Sequence, residues 1–337
     1  NECSDLENWD VIEKKLSRRG GITRRMTRAY PGSGRAQVTP SSIHGLAFFD
    51  SGVMLLAEYD RFQKQDGYGA IDIATPDYLA PGVQPWSFVS NNGVLWAARP
   101  GGRLWRVKES LAVVAGVNPP GTAPSAVSSP GGLISSGTYQ YFVTFETDLE
   151  DESSPSPIAT IVLAVDSSVA LSAIPNSSQP QVARKNIYRS LPNDAGQLWY
   201  VGSVGPTVSV YADNTPNASL GDPFSYENGL PPAEAYSVEK WNERLWTHDR
   251  QQLYGTRVGR FETFSETFDS FDARGGTQIR GLHAWVLCLM VGTTEKIYQV
   301  VESGFDADGV RSDISVLSSD HGGRSHSSPK SAEGTQF

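Results

Sequence analysis

Three stretches of this chain repeat one pattern, and the repetition limits the possible folds more than any single motif does. Each has a polar turn, a strand centred on a pair of apolar or aromatic residues, a second turn, and a strand with another such pair. The first runs Asn91-Asn92-Gly93-Val94-Leu95-Trp96, turns at Arg99 to Arg103 and continues as Leu104-Trp105. The second is Trp241-Asn242-Glu243-Arg244-Leu245-Trp246, a turn at Asp249 to Gln252, then Leu253-Tyr254. The third is Val286 to Val291, a turn at Gly292 to Lys296, then Ile297-Tyr298. Pair follows pair after eight to ten residues, the length of a short hairpin. A looser copy precedes them, Ile43 to Phe49 and Val53 to Tyr59 about the turn Asp50-Ser51-Gly52.

Hairpins this short cannot bury an apolar face alone, so they must pack beside one another. Radial stacking into a β-propeller-like body is the expected solution, with an open sandwich or a β-solenoid as competing arrangements. Composition agrees with many short strands joined by tight turns: 33 Gly, 21 Pro, 10% aromatic residues and only three Met. Regular recurrence places Leu95-Trp96, Leu104-Trp105 and Leu245-Trp246 in a core rather than on a sugar-binding surface.

The pattern breaks in the middle of the chain. A Pro/Gly/Ser-rich linker begins at Val117 and runs to about Pro130, and Gly229-Leu230-Pro231-Pro232 closes the interval. We therefore expect an N-terminal part of the body at 1–116, an inserted domain at 117–232 and a continuation of the body at 233–337. Between the linkers, Gly137 to Phe145, Lys185 to Arg189, Leu198 to Gly202 and Val208 to Asp213 read as strands. With the acidic loop Asp148 to Glu152 and the run Tyr211-Ala212-Asp213-Asn214-Thr215-Pro216, these blocks resemble a fibronectin type III-like sandwich. About 110 residues suits one such sandwich, normally an interaction or spacer module. The fold class expected is thus all-β, a propeller-like body with an inserted sandwich.

The chain starts at Asn1 and stops at Phe337 in what reads as the beginning of another strand, so a longer polypeptide is expected. Its longest apolar run, Ala284 to Gly292, is about half of what a membrane-spanning helix needs. Cys288 lies in that run, where a buried thiol is expected, and with Cys3 far away a disulfide framework is not.

Asn8-Trp9-Asp10-Val11 followed by Leu16 to Ile22 resembles the opening of the tail nozzle proteins of short-tailed bacteriophages, also called tail tubular protein B. That family has a basic turn of Arg-Arg-Pro-Gly type, and here Gly20 stands where Pro is usual. Similarity extends through Pro231 to Trp246, Gln252 to Thr256, Ile279 to Leu282 and Gly292 to Tyr298. The resemblance implies a homo-hexameric ring at the distal end of a virion tail. Such a ring retains packaged DNA, conducts it during ejection without sequence specificity, and docks to a tail adaptor or portal-side protein and to fibres or spikes.

The densest charge feature is Lys14, Lys15, Arg18, Arg19, Arg24, Arg25 and Arg28. These seven cations are interaction candidates, for phosphate or for an acidic neighbouring subunit, although a solvated edge strand protected by charge explains them as well. Five acids precede them within residues 1–28, so the rest of the chain carries −11 of the total −9. An acidic lumen would suit DNA passage, because repulsion keeps a polyanion from adhering to its conduit.

No catalytic constellation stands out. Asp306 and Asp308 around Gly309, with Asp313 nearby, have the look of a calcium loop but lack its full spacing and terminal Glu; a plain turn is expected, and no metal. His44, His248, His283, His321 and His326 have no ligand spacing, and no Gly-x-Ser-x-Gly elbow, P-loop or dinucleotide fingerprint occurs. Asp148, Glu150, Asp151 and Glu152 read as a solvated acidic loop. The expectation is a non-enzymatic virion protein without cofactors. A propeller lectin or glycan-processing enzyme with a fibronectin-like accessory module is the alternative.

Overall fold

The computed structural model describes residues 9–12, 15–18, 43–58, 60–66, 69–79, 81–82, 84–225, 228–264, 270–272, 278–306 and 309–318. Among them there is no α-helix, only strands and one 3₁₀ turn at Asn217–Ser219. A hairpin of β1 (Trp9–Ile12) and β2 (Lys15–Arg18) comes first. The first four-stranded sheet is β3 (Gly45–Phe48), β4 (Met54–Ala57), β5 (Phe62–Asp66) and β6 (Gly69–Asp72). The second is β7 (Ser87–Asn91), β8 (Val94–Ala98), β9 (Trp105–Val107) and β10 (Ala112–Val114).

Seven strands follow that pair only with one another: β11 (Ser125–Ile134), β12 (Gly137–Thr147), β13 (Ala159–Leu163), β14 (Ser167–Ser172), β15 (Val182–Ser190), β16 (Leu198–Val204) and β17 (Tyr211–Asp213). The body then resumes with a third sheet, β18 (Ser237–Trp241), β19 (Arg244–His248), β20 (Gln252–Gly255) and β21 (Ser270–Asp272). The fourth is β22 (Ile279–Ala284), β23 (Leu289–Thr293), β24 (Ile297–Asp306) and β25 (Gly309–Ser318).

Each of the four body sheets is an antiparallel meander in chain order. The sheets adjoin through their first strands, β3 beside β7, β7 beside β18 and β18 beside β22. This explains the paired residues of the repeat. Successive side chains on a strand point to opposite faces, so a sheet packed on both sides needs an apolar residue at adjacent positions. On β8, Leu95 and Ala97 enter the core shared with the first sheet. Val94, Trp96 and Ala98 enter the core shared with the third. On β19, Leu245 faces the second sheet and Trp246 the fourth. Leu95, Trp96, Trp105, Leu245 and Trp246 are all fully buried, as the sequence leads one to expect.

Two expectations are corrected here. Val286 and Leu287 are not on a strand but form the turn between β22 and β23, because Trp285 donates its N–H to the Cys288 carbonyl and β23 begins at Leu289. The looser first copy covers β3 and β4, whereas the other three cover second and third strands; the aromatic residue of the first sheet's third strand is Phe62.

The central strands form two sheets, ordered β11-β14-β17 and β13-β12-β15-β16. Ile134, Tyr139, Tyr141, Val143, Leu163, Val169, Leu171 and Ile187 close one core between them, which makes the insert a sandwich. Ser125 to Pro130, expected as linker, belongs to β11 and pairs residue by residue with β14. Backbone pairing forms this strand, since its side chains are mostly exposed and leave no apolar signature.

Candidate functional site

The most chemically distinctive part of the molecule is the acidic loop between β12 and the start of β13. Its base is folded by Thr147, whose N–H donates to the Asp151 carbonyl and whose Oγ1 accepts from the N–H groups of Leu149 and Asp151. Glu150 at the tip has φ +64°, a left-handed backbone that L residues seldom adopt. This fold aims successive side chains at different parts of the protein. Asp148 binds Arg106 and Lys108 of the second body sheet. Leu149 packs against the core between the second and third sheets. Glu150 faces Arg260 at 3.8 Å, and its carbonyl accepts from the same guanidinium. Asp151 accepts from the Glu262 N–H and the Thr263 hydroxyl, both at 3.0 Å. Glu152 turns back onto the sandwich, where Thr144, Asn186 and Tyr188 all donate to its Oε1.

Glu262 sits in the middle of this junction with a fully buried carboxylate. Its Oε1 lies 3.0 Å from Arg106 Nη1, an ion pair without hydrogen-bond alignment, and its Oε2 accepts from the Gly116 N–H at 3.0 Å. Burial raises its pKa to about 7 against the pull of Arg106, and neighbouring Asp151 adds to the rise. Burial also raises Asp151. Asp148, half exposed, would be raised by its burial too, but hydrogen bonds from Lys108 and Arg106 outweigh this and hold it below the usual carboxylate range.

The two ends of the insert meet beside this cluster. Gly116 has φ +92°, and a Cβ there would lie 2.3 Å from Pro231 Cδ. Its carbonyl accepts from Gln179 and Gln181 of the insert. A cleft of about 300 Å³ opens at this point, lined by Asp77, Arg103, Gly116, Gln179, Pro231 and Pro232 among others. Asp77 and Arg103 are its ionisable residues, and Asp77 is committed to the Val114 N–H at 2.8 Å. The arrangement is a polar clamp that joins the insert to the body, and among the described residues it pairs no nucleophile with a base.

A second buried ion pair lies within the sandwich. Arg189 on β15 meets Asp213 on β17 at 2.5 Å, both side chains fully buried, and Tyr141 donates to the same carboxylate at 2.8 Å. Arg189 also donates to the Thr215 carbonyl and to Asn217 Oδ1, so the pair joins the two sheets and the 3₁₀ turn.

Of the sequence candidates, Lys15 and Arg18 lie on β2 opposite Ile12 and Trp9. Lys14, Arg19, Arg24, Arg25 and Arg28 lie outside the described residues, as do Asp308, His321, His326 and Cys3. Asp306 pairs with Gly309 at the end of the β24–β25 hairpin, whereas Asp313 pairs with Val301. Five residues of strand therefore separate the two, about 16 Å, too far to share a cation that binds oxygens at roughly 2.3–2.6 Å. Among the described residues no three ligating side chains converge. His248 is buried, with Nδ1 2.5 Å from the Asp249 carbonyl and its ring near Tyr236. Cys288 is buried, and burial raises its pKa. Among the described residues no helix is long and apolar enough to cross a membrane.

No family model and no curated protein matches the chain. Among solved structures, it is similar to the extracellular domain of a protein described as the hybrid two component system BT3049 of B. thetaiotaomicron, at 10% identity and a TM-score of 0.25 over 80% of this chain. The corresponding domain of BT4673 gives 10% identity and a TM-score of 0.27 over 85% of this chain. The chain spans about a third of either domain, 29% and 32%. A Thermus thermophilus protein described as an oxidoreductase (glucose dehydrogenase) gives 12% identity and a TM-score of 0.26, with 84% of this chain and 86% of that one covered. Likenesses this distant carry no argument about what the chain does.

Proposed function

We propose that this protein is a structural component of a bacteriophage tail of the nozzle type. It assembles as a ring, retains packaged DNA and conducts it during ejection. The observation that supports this reading is the way the sandwich is attached. A Pro/Gly-rich linker alone would leave the insert free to swivel. Here three acidic side chains of one loop reach two body sheets, and a leucine packs against the core between those sheets. Asp151 is buried and hydrogen-bonded to the Glu262 N–H and Thr263, and Asp148 is paired at the half-exposed edge with Arg106 and Lys108, so such a clamp suits a part that must keep its shape under load.

The sequence resemblance supplies the rest of the proposal: a propeller-like body, a fibronectin-like insert, a homo-hexamer, a tail adaptor and fibres or spikes as neighbours, and a virion location. The −11 carried by residues 29–337 is the sign of charge that lets DNA slide past without adhering. No cofactor and no catalytic step is part of the proposal. Negative-stain electron microscopy of the purified protein tests it, with six-fold rings around a central hole as the expected image. A compact monomer that retains or hydrolyses polysaccharide would overturn it in favour of the lectin or glycan-processing reading.

A further inference from the structure

The chain contains two Asn-Gly pairs, Asn92-Gly93 and Asn228-Gly229. An asparagine before glycine is chemically labile, because glycine leaves its own backbone nitrogen unshielded and free to turn toward the asparagine side chain. In the reaction the glycine nitrogen attacks the asparagine Cγ. A bond forms between them, the Cγ–Nδ2 bond breaks, and the nitrogen's proton departs with the amide as ammonia. Water then opens the succinimide ring at either carbonyl and leaves aspartate or isoaspartate. Nothing is oxidised or reduced, and water alone is consumed.

The two pairs are held in different ways. Asn228 is buried, and its Oδ1 accepts from Arg257 at 3.2 Å. Gly229 and Phe264 exchange both backbone hydrogen bonds, at 2.8 and 3.0 Å, so this nitrogen is fixed in a bridge. Asn92 and Gly93 are exposed and form the two-residue turn between β7 and β8, with φ of +51° and +75°. The Gly93 N–H crosses to the first sheet, where Asp50 Oδ2 accepts it at 2.6 Å. The other oxygen of Asp50 accepts from Ser90 Oγ at 2.5 Å. The nucleophile of the first step is therefore held by a carboxylate from a neighbouring sheet.

We propose that Asn92 is a site of self-modification by deamidation, and that Asp50 is the positioning residue that restrains it. Asp50 occupies the N–H that must be released, and its charge opposes the negative charge that builds on the nitrogen as the proton leaves. Opening of the contact between the first and second sheets frees Gly93, so the reaction proceeds through the open state. Its product then acts on the same contact. Isoaspartate adds a backbone methylene to a turn closed by the Asn91–Val94 pair, and either product puts a new carboxylate next to the nitrogen that Asp50 binds. Asn91, one residue before, accepts from Lys240 Nζ of the third sheet at 2.8 Å. The modified residue thus lies between the bond from the preceding sheet and the bond to the following one, and reclosing does not undo the change.

Peptide mapping by mass spectrometry, with isoaspartate detected by enzymatic methylation, tests this on the full chain at mildly alkaline pH. Wild-type Asn92 should react at least about 100-fold more slowly than the same residue in a free peptide spanning 90–94, the protection expected of a charge-assisted hydrogen bond in a closed turn. Asp50→Ala should speed the reaction at least about tenfold, and Asp50→Asn, an uncharged acceptor, should fall between. Ser90→Ala removes the other bond to Asp50 and should leave the rate near wild type. Asn228 should stay intact throughout, which reports that each variant keeps its fold. Equal rates in wild type and peptide would remove the restraint. Equal acceleration by Ser90→Ala would reduce Asp50 to a general role in sheet packing. A slower reaction in Asp50→Ala would make the carboxylate a base that promotes the attack, the opposite of what is proposed.

Discussion

Adjacent residues do opposite jobs in the body, and the sequence shows this only to a reader who expects both faces of a strand to be buried. Leu95-Trp96 and Leu245-Trp246 are legible as core because bulky apolar neighbours have no other use on a two-residue period. The acids of the junction were not legible. Asp148, Glu150, Asp151 and Glu152 look solvated in sequence, since Arg106 lies 42 residues from Asp148 and Thr263 lies 112 from Asp151. Nothing local records such partners. Gly116 was likewise hidden, because its close approach to Pro231 exists only after the insert has folded. Replacing it by Ala adds a left-handed backbone penalty to a clash, and we expect a loss of roughly 2–4 kcal/mol in urea unfolding. Arg189→Met strips the buried Asp213 carboxylate of its cation, with an expected cost of about 3–5 kcal/mol in the same measurement.

At the scale of elements, the clamp loop links stability to pH through Glu262. Its pKa is about 7 in the folded protein against an ordinary 4.5, so the native state holds a proton that the unfolded chain releases. The contribution is fully present below about pH 4.5 and is lost as pH rises through about 7, on the order of 3 kcal/mol in total. Glu262→Gln keeps a neutral group of the same shape, and the slope of stability against pH between those limits should flatten in it. Asp151→Ala leaves the Glu262 N–H and the Thr263 hydroxyl without their acceptor in a buried place, an expected loss of about 2–4 kcal/mol. Hydrogen exchange should show that loss as faster opening of the 257–264 segment. Strand recognition followed side-chain burial. The second and third strands of the later sheets were evident from their apolar pairs, while short outer strands such as β10 and the exposed β11 had no pattern to offer.

At the scale of the molecule, the insert interrupts two sheets that already hold each other. Ser87 Oγ accepts from the Val238 N–H at 2.7 Å, Lys240 reaches Asn91, and Ala235 donates to the Gly102 carbonyl at 2.7 Å, all without help from the sandwich. An all-β body divided by a sandwich was readable from the repeats and the change of composition; how firmly the two are joined was not, because the joining residues are scattered along the chain. Excising residues 117–230 and splicing 116 to 231 should leave a body that still melts cooperatively, at a lower temperature for want of the clamp, as calorimetry can check. The contact of Gly116 with Pro231 also has a use in protein engineering. Since the entering and leaving strands of chain touch, this point is a ready socket, and a fluorescent or affinity domain with adjacent termini could be grafted there in place of the sandwich.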